Sequence, residues 1–142
     1  MDERRGGFLS CLKENGIVLN DEDEFFLTPT IDGASADMDE ILNKGKSTLP
    51  TAFFAANDIL AIGAVRAMQK HGIKLPDDIS IIGMDDLALC RIVEPNLDSI
   101  LVPRNQMGRA AVQQLLQDNN CVLKTFVDIE PVKRGSIRNI SE

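Results

Sequence analysis

The sequence predicts an α/β fold, a parallel sheet flanked by helices, and residues 50–87 carry most of that prediction. Two short apolar runs, residues 52–56 and 79–83, lack the alternation of a half-exposed strand and suit strands covered on both faces. Between them Ile59, Ile62, Val65 and Met68 recur near helical spacing, while Arg66, Gln69 and Lys70 take the other side. Strand, crossover helix and parallel strand form a right-handed βαβ unit. Open sheets of this kind bind ligands beyond the carboxyl ends of their strands, where Asn57 and Asp85 fall.

The remaining elements come in chain order. Residues 4–15 read as a helix, 20–24 as a solvated acidic loop, 25–27 as a strand and 36–43 as a helix. Asp58 is placed to cap the crossover helix, and Gly72 can end it in a left-handed conformation. Pro76, Asp77 and Asp78 suit a turn into the second strand. A short helix over 87–93 stops before Pro95, which also restricts Glu94. Residues 100–102 are expected to form a strand. A helix over 104–117 comes next, with Met107, Ala111 and Leu115 on one face, then an exit loop at 118–120. Strand pieces are expected at 126–129 and 132–133, around Pro131.

Composition excludes several classes. A chain of 142 residues fits one domain and can bury roughly 68–70% of its unfolded surface. The hydrophobic fraction of 44% and charged fraction of 26% are those of a globular protein, and no apolar run or leader-like segment suggests a membrane or secretion. Net charge is −7 and the sequence pI about 4.7, with no basic stripe longer than Lys133 and Arg134, so phosphate-backbone binding is not expected of these residues. Cys11, Cys90 and Cys121 are odd in number and lack metal-site spacing, which predicts reduced thiols buried as small hydrophobes in a cytoplasmic protein.

Several motifs occur together. A-N-D at residues 56–58, L-A-x-G-A-x-R-A at 60–67, G-I-x-L-P-D-D-I-S-I-I-G at 72–83 and M-D-D at 84–86 are joined by R-R-G-G-F at 4–8, S-I-x-x-P at 99–103, M-G-x-x-A at 107–111 and K-R-G-S at 133–136. In that order and spacing they resemble the effector-binding domain of lactose-repressor/galactose-repressor (LacI/GalR) transcription regulators. The resemblance covers nearly the whole chain and is weakest over residues 25–46. It implies one lobe of a two-lobed, periplasmic-binding-protein-like type I fold with effector held between lobes. Residues 1–102 would be the C-terminal lobe, 103–121 the crossover and a helix belonging to the first lobe, and 122–142 the return strands and tail. The DNA-binding headpiece, most of the first lobe and the opening strand of the second would lie outside this sequence.

The resemblance places effector contacts at Asp85, Asn57 and Arg4. A carboxylate ending a buried strand can accept two hydroxyl donors, an amide can both donate and accept, and a guanidinium fork can clamp a hydroxyl pair or a carboxylate. Asp85 also suits a turn or cap, and Asn57 an Asx turn before the helix. Asp86 is read as structural. Met84 stands where the family usually carries an aromatic residue. The chain has neither Trp nor Tyr, so the candidate stacking platforms are Phe54 and Phe26, with core packing favoured for both.

Enzymatic readings are weaker. Gly45, Lys46, Ser47 and Thr48 look like a P-loop tail, but Glu40 replaces the required first glycine. Asp58, Asp85 and Asp86 could hold magnesium, yet no nucleophile and base accompany them. His71 falls at the end of a helix, where a cation is favourable. The expected protein is therefore a non-enzymatic effector sensor without cofactor or metal. It would bind a sugar or related metabolite, form a homodimer, reach DNA only through a headpiece outside this chain, and make no membrane contact. The alternatives are a sugar-binding protein of transport or chemoreception and a small α/β enzyme.

Overall fold

The computed structural model describes residues 3–45, 49–116 and 125–140. Its order is α1 (Glu3–Glu14), a 3-10 turn at Asp21–Asp23, α2 (Ile31–Asn43), β1 (Ala52–Phe54), α3 (Asp58–Lys70), β2 (Ser80–Met84), a 3-10 turn at Ala88–Arg91, β3 (Asp98–Leu101), α4 (Arg104–Leu116) and β4 (Glu130–Val132). The four strands lie in sequence order. β1, β2 and β3 are parallel, with Phe53 opposite Ile81 and Gly83 opposite Ser99. β4 runs antiparallel to β3, so the sheet is mixed rather than purely parallel. Pro131 sits inside β4, a position tolerated because an edge strand leaves one row of amides unpaired.

Helix α3 forms the core with the sheet and α2. Ala61, Ala64, Val65, Ala67 and Met68 are buried, against Ile79 and Ile81 from the β2 side and Met38 from α2. Gly63 sets the α2–α3 approach: a Cβ there would lie 2.5 Å from the Cβ of Ala34 and 2.7 Å from the carbonyl oxygen of Ile31. Gly72, at φ +76°, ends α3 as expected. His71 caps its carboxyl end, with Nε2 2.8 Å from Asp39 Oδ1.

Several expectations need correction. Helix α2 begins five residues early because Thr30 caps it, its hydroxyl accepting from Gly33 N at 3.0 Å. Residues 25–27 join no ladder among the described residues. An apolar groove of about 390 Å³ is lined by Phe25, Phe26 and Leu27 and by Phe53 and Phe54 of β1. The rings of Phe25 and Phe53 lie 5.7 Å apart and join the two segments. Residues 126–129 join no ladder among the described residues either, and the described pairing starts at Glu130.

Cys90 is buried as expected, but Cys11, on α1, is exposed. Cys121, the exit loop at 118–120 and the P-loop-like Lys46, Ser47 and Thr48 lie outside the described residues. No helix among the described residues is long and apolar enough to cross a membrane.

Candidate functional site

The carboxyl ends of β1 and β2 present the candidate site. After β1 the chain turns into α3 at Asn57, whose extended backbone (φ −156°, ψ 168°) and side-chain oxygen, accepting from Leu60 N at 2.9 Å, make it the N-cap. This corrects the assignment of the cap to Asp58. One residue into the helix, the Asp58 side chain points inward instead and is fully buried. Its Oδ2 accepts from Leu87 N at 2.7 Å and its Oδ1 from the Ser99 hydroxyl at 2.6 Å.

After β2, Asp85 and Asp86 both adopt positive φ, +106° and +48°. Such conformations cost roughly 1–3 kcal/mol each in residues other than glycine and persist only where neighbours enforce them. Here the neighbours are specific. Asp85 N donates to Ile100 O at 2.9 Å, Asp86 N to Ser99 Oγ at 3.1 Å, and Leu87 N to Asp58. The Asp86 carboxylate pairs with the guanidinium of Arg134, both largely shielded from solvent, and Arg104 donates to the Asp86 carbonyl at 3.3 Å. Asp86 is thus structural, as the sequence suggests. At Asp85 the ladder uses the backbone rather than the carboxylate, and the residue is half-buried.

Arg4, in the first turn of α1, reaches the same place. Its Nη1 donates to the carbonyl oxygen of Ala56 at 2.8 Å and lies 3.5 Å from Met84 Sδ. Those are the residues immediately before Asn57 and Asp85, so Arg4, Asn57 and Asp85 converge on one end of the sheet. Together they offer guanidinium donors, an amide and a carboxylate acceptor, a set suited to a ligand bearing several hydroxyl groups.

The stacking candidates separate. Phe54 is half-buried, packs on Phe8 with ring centroids 5.2 Å apart and lines the groove, whereas Phe26 is 86% exposed. That exposure corrects the expectation of core packing for Phe26. The groove borders Arg4 and Ala56 and runs along β1; neither Asn57 nor Asp85 lines it.

Catalytic and metal chemistry find little here. Burial, and then a hydrogen bond to Asp58, push the Cys90 thiol up to about 12, which removes it as a nucleophile near neutral pH. The oxygens of Asp58 are taken by Leu87 and Ser99, and the Asp86 carboxylate by Arg134. Among the described residues no three metal-ligating side chains converge.

Over residues 1–137 the sequence matches the family described as periplasmic binding protein-like domain. The chain belongs to that family. As a periplasmic binding protein-like chain it is 53% identical over 72 residues to the HTH-type transcriptional regulator GalR of Streptococcus thermophilus, an alignment covering 51% of this chain and 22% of that protein. It is 34% identical over 143 residues to the HTH-type transcriptional repressor PurR of Aliivibrio fischeri, covering 96% of this chain and 42% of the relative. Among solved structures, a LacI family transcriptional regulator from Enterococcus faecium with bound ribose superimposes with a TM-score of 0.81 at 28% identity, covering 94% of this chain and 50% of that one. The LacI/GalR resemblance read from the motifs is thereby established, and these relatives are transcriptional regulators, not enzymes. The chain spans at most about half the length of the relatives it matches.

Sequence reasoning placed Met84 directly before Asp85 but missed Ser99 as part of this end of the sheet. Ser99 stands in the S-I-x-x-P motif, which marks a strand and assigns the hydroxyl no partner. The signal available was that hydroxyl itself, immediately ahead of the strand expected at 100–102, where a polar group that becomes buried needs a partner.

Proposed function

We propose that this chain is the C-terminal effector-sensing part of a LacI/GalR-like transcription regulator and that it binds a sugar or related small metabolite through Arg4, Asn57 and Asp85. The observation that carries this reading is the Arg4 guanidinium, held against the residues that precede Asn57 and Asp85 at two adjacent strand ends. The ribose named with the Enterococcus faecium relative is a ligand of the expected chemistry.

In this reading residues 1–102 form the C-terminal lobe, 103–121 belong to the first lobe, and 122–142 return to the C-terminal side. The intact regulator works in the cytoplasm and contacts DNA through a headpiece outside these residues. Effector acts by favouring one lobe closure over another, which requires a difference in affinity between the two. Self-association is part of the same proposal. Helix α4 exposes Val112, Leu115 and Leu116, and one edge of β1 pairs with no strand among the described residues. A homodimer, formed in one version by exchange of the C-terminal segment, would cover such surfaces. A monomer mass independent of concentration in sedimentation would rule it out.

The binding test is thermal unfolding with D-ribose, D-galactose, lactose, a hexose phosphate and guanine, comparing wild type with Asp85→Ala. A ligand at ~100 times its dissociation constant stabilises by about 2.7 kcal/mol. A shift in wild type that disappears in Asp85→Ala supports the site. An equal shift in both removes Asp85 from it.

A further inference from the structure

Asp58 is a fully buried carboxylate in the first turn of α3, beside the Asn57 cap, yet one of its oxygens is spent on the segment after Asp85 and the other on β3. One oxygen takes the amide of Leu87 directly. The other takes the hydroxyl of Ser99, also fully buried, and that hydroxyl oxygen in turn accepts the amide of Asp86. Two of the three amides after Met84 are therefore tied, one directly and one through Ser99, to a single carboxylate on the residue next to the Asn57 cap. Gly83 closes the same joint: a Cβ there would lie 2.2 Å from Asp58 Oδ1 and 3.3 Å from Asp58 Cα.

We infer that Asp58 and Ser99 are positioning residues which hold Asp85 in its positive-φ conformation and set its placement relative to Asn57, without touching ligand themselves. The inference rests on the proposed reading of Asn57 and Asp85 as ligand contacts. Its physical basis is that two consecutive left-handed residues other than glycine are not favoured locally, so the geometry of Asp85 must be imposed from outside the turn. The backbone bond from Asp85 to Ile100 fixes only its amide nitrogen. The next two amides, of Asp86 and Leu87, are fixed by the Ser99 and Asp58 side chains, with Arg134 holding Asp86 from the other side. The joint spans three segments far apart in sequence and meets at the two strand ends that carry the candidate contacts.

The test compares Ser99→Ala and Asp58→Asn with Met38→Ala, a core truncation in α2 away from the turn. Ser99→Ala removes a hydroxyl without adding bulk. Asp58→Asn keeps the shape but replaces an acceptor with a donor facing Leu87 N–H or the Ser99 hydroxyl. Amide hydrogen exchange and amide NMR shifts of Asp85, Asp86 and Leu87 are read in the ligand-free 142-residue chain, with D-ribose titration afterwards. The expected result in Ser99→Ala is a loss of protection at Asp86 of about tenfold beyond the loss shared by all core amides, with shifted Asp85 resonances and restoration in Ser99→Thr. Met38→Ala should lower protection across the core and leave the Asp85 and Asp86 shifts in place. Should Asp58→Asn fail to fold, Ser99→Ala decides alone. Turn amides that track the core average in Ser99→Ala as they do in Met38→Ala overturn the inference. Because the exchange measurement needs no ligand, a turn that loosens while D-ribose binds neither protein leaves the positioning role standing and counts against the ligand reading alone.

Discussion

The carboxylate of Asp98, the first residue of β3, accepts from Ser136 N, and the Ser136 hydroxyl accepts from Asp98 N at 2.8 Å. Around this reciprocal pair, Asp98 also takes the amides of Arg134 and Gly135 at 3.0 and 2.9 Å, while the Ser136 hydroxyl donates to Ile81 O at 2.6 Å. The C-terminal segment is thus latched across β2 and β3. Asp98→Ala should leave three successive amides short of their acceptor. Each costs roughly 1–3 kcal/mol if it stays buried, so a loss of about 3 kcal/mol is expected in urea unfolding. Faster proteolytic clipping near Lys133 and Arg134 should accompany it, because the latch and not a long ladder holds that segment.

Gly83 should tolerate no side chain. In Gly83→Ala the new Cβ would fall 2.2 Å from a carboxylate oxygen that is itself held by Ser99, so helix α3 must move away from β2. Overpacking of this kind costs roughly 1–3 kcal/mol or more. Thermal unfolding of Gly83→Ala alone and combined with Asp58→Ala checks the cause: in the Asp58→Ala background the added penalty of the alanine should shrink, because the clashing oxygen is gone.

The part of this molecule legible in the sequence is the part governed by periodicity and local chemistry. The βαβ unit, the left-handed exit at Gly72 and the strand-end placement of Asn57 and Asp85 come from apolar spacing and glycine conformation. Asp58 is misread as the cap because capping propensity belongs equally to Asn57, and only the sheet decides which of the two faces inward. The ladder at residues 25–27 fails for a related reason. β-propensity describes what fits a pleated surface, but it does not supply a neighbour, and the β1 edge there borders a groove. Likewise, the Asp98–Ser136 latch joins residues 38 apart, a pairing no local window contains.

The Arg5–Glu24 pair predicts an acid limb in stability. Arg5 Nη2 donates to Glu24 Oε2 at 2.7 Å, and that hydrogen bond is the main reason the Glu24 carboxyl lies below its usual range. A depressed folded pKa contributes stability that is present above the ordinary glutamate value of 4.5 and is lost as pH falls through the lowered one. Glu24→Gln should therefore melt lower than wild type at neutral pH, with the two curves converging as pH drops below 4.5. Since the pair is exposed enough for salt to screen it, the gap should also narrow at high ionic strength. A gap unchanged down the whole acid range would mean that Glu24 acts through packing and not through its charge.

Thiol reactivity should divide the two described cysteines cleanly. Cys11 is exposed on α1, whereas Cys90 is fully buried within the 3-10 turn, its thiol held up at about 12 by burial and by Asp58. Only the thiolate attacks an alkylating reagent, so at about pH 8 iodoacetamide should label Cys11 within minutes and spare Cys90 until the protein opens. Peptide mapping by mass spectrometry reads the two sites separately. In Asp58→Ala, the Cys90 thiol loses both a hydrogen-bond acceptor and a nearby negative charge, each of which raises its pKa in the wild type. Its labelling should then accelerate more than the variant's loss of stability accounts for. An acceleration equal to that stability loss would show that Cys90 reacts only through global unfolding, and that the Asp58 carboxylate has no direct hold on the thiol.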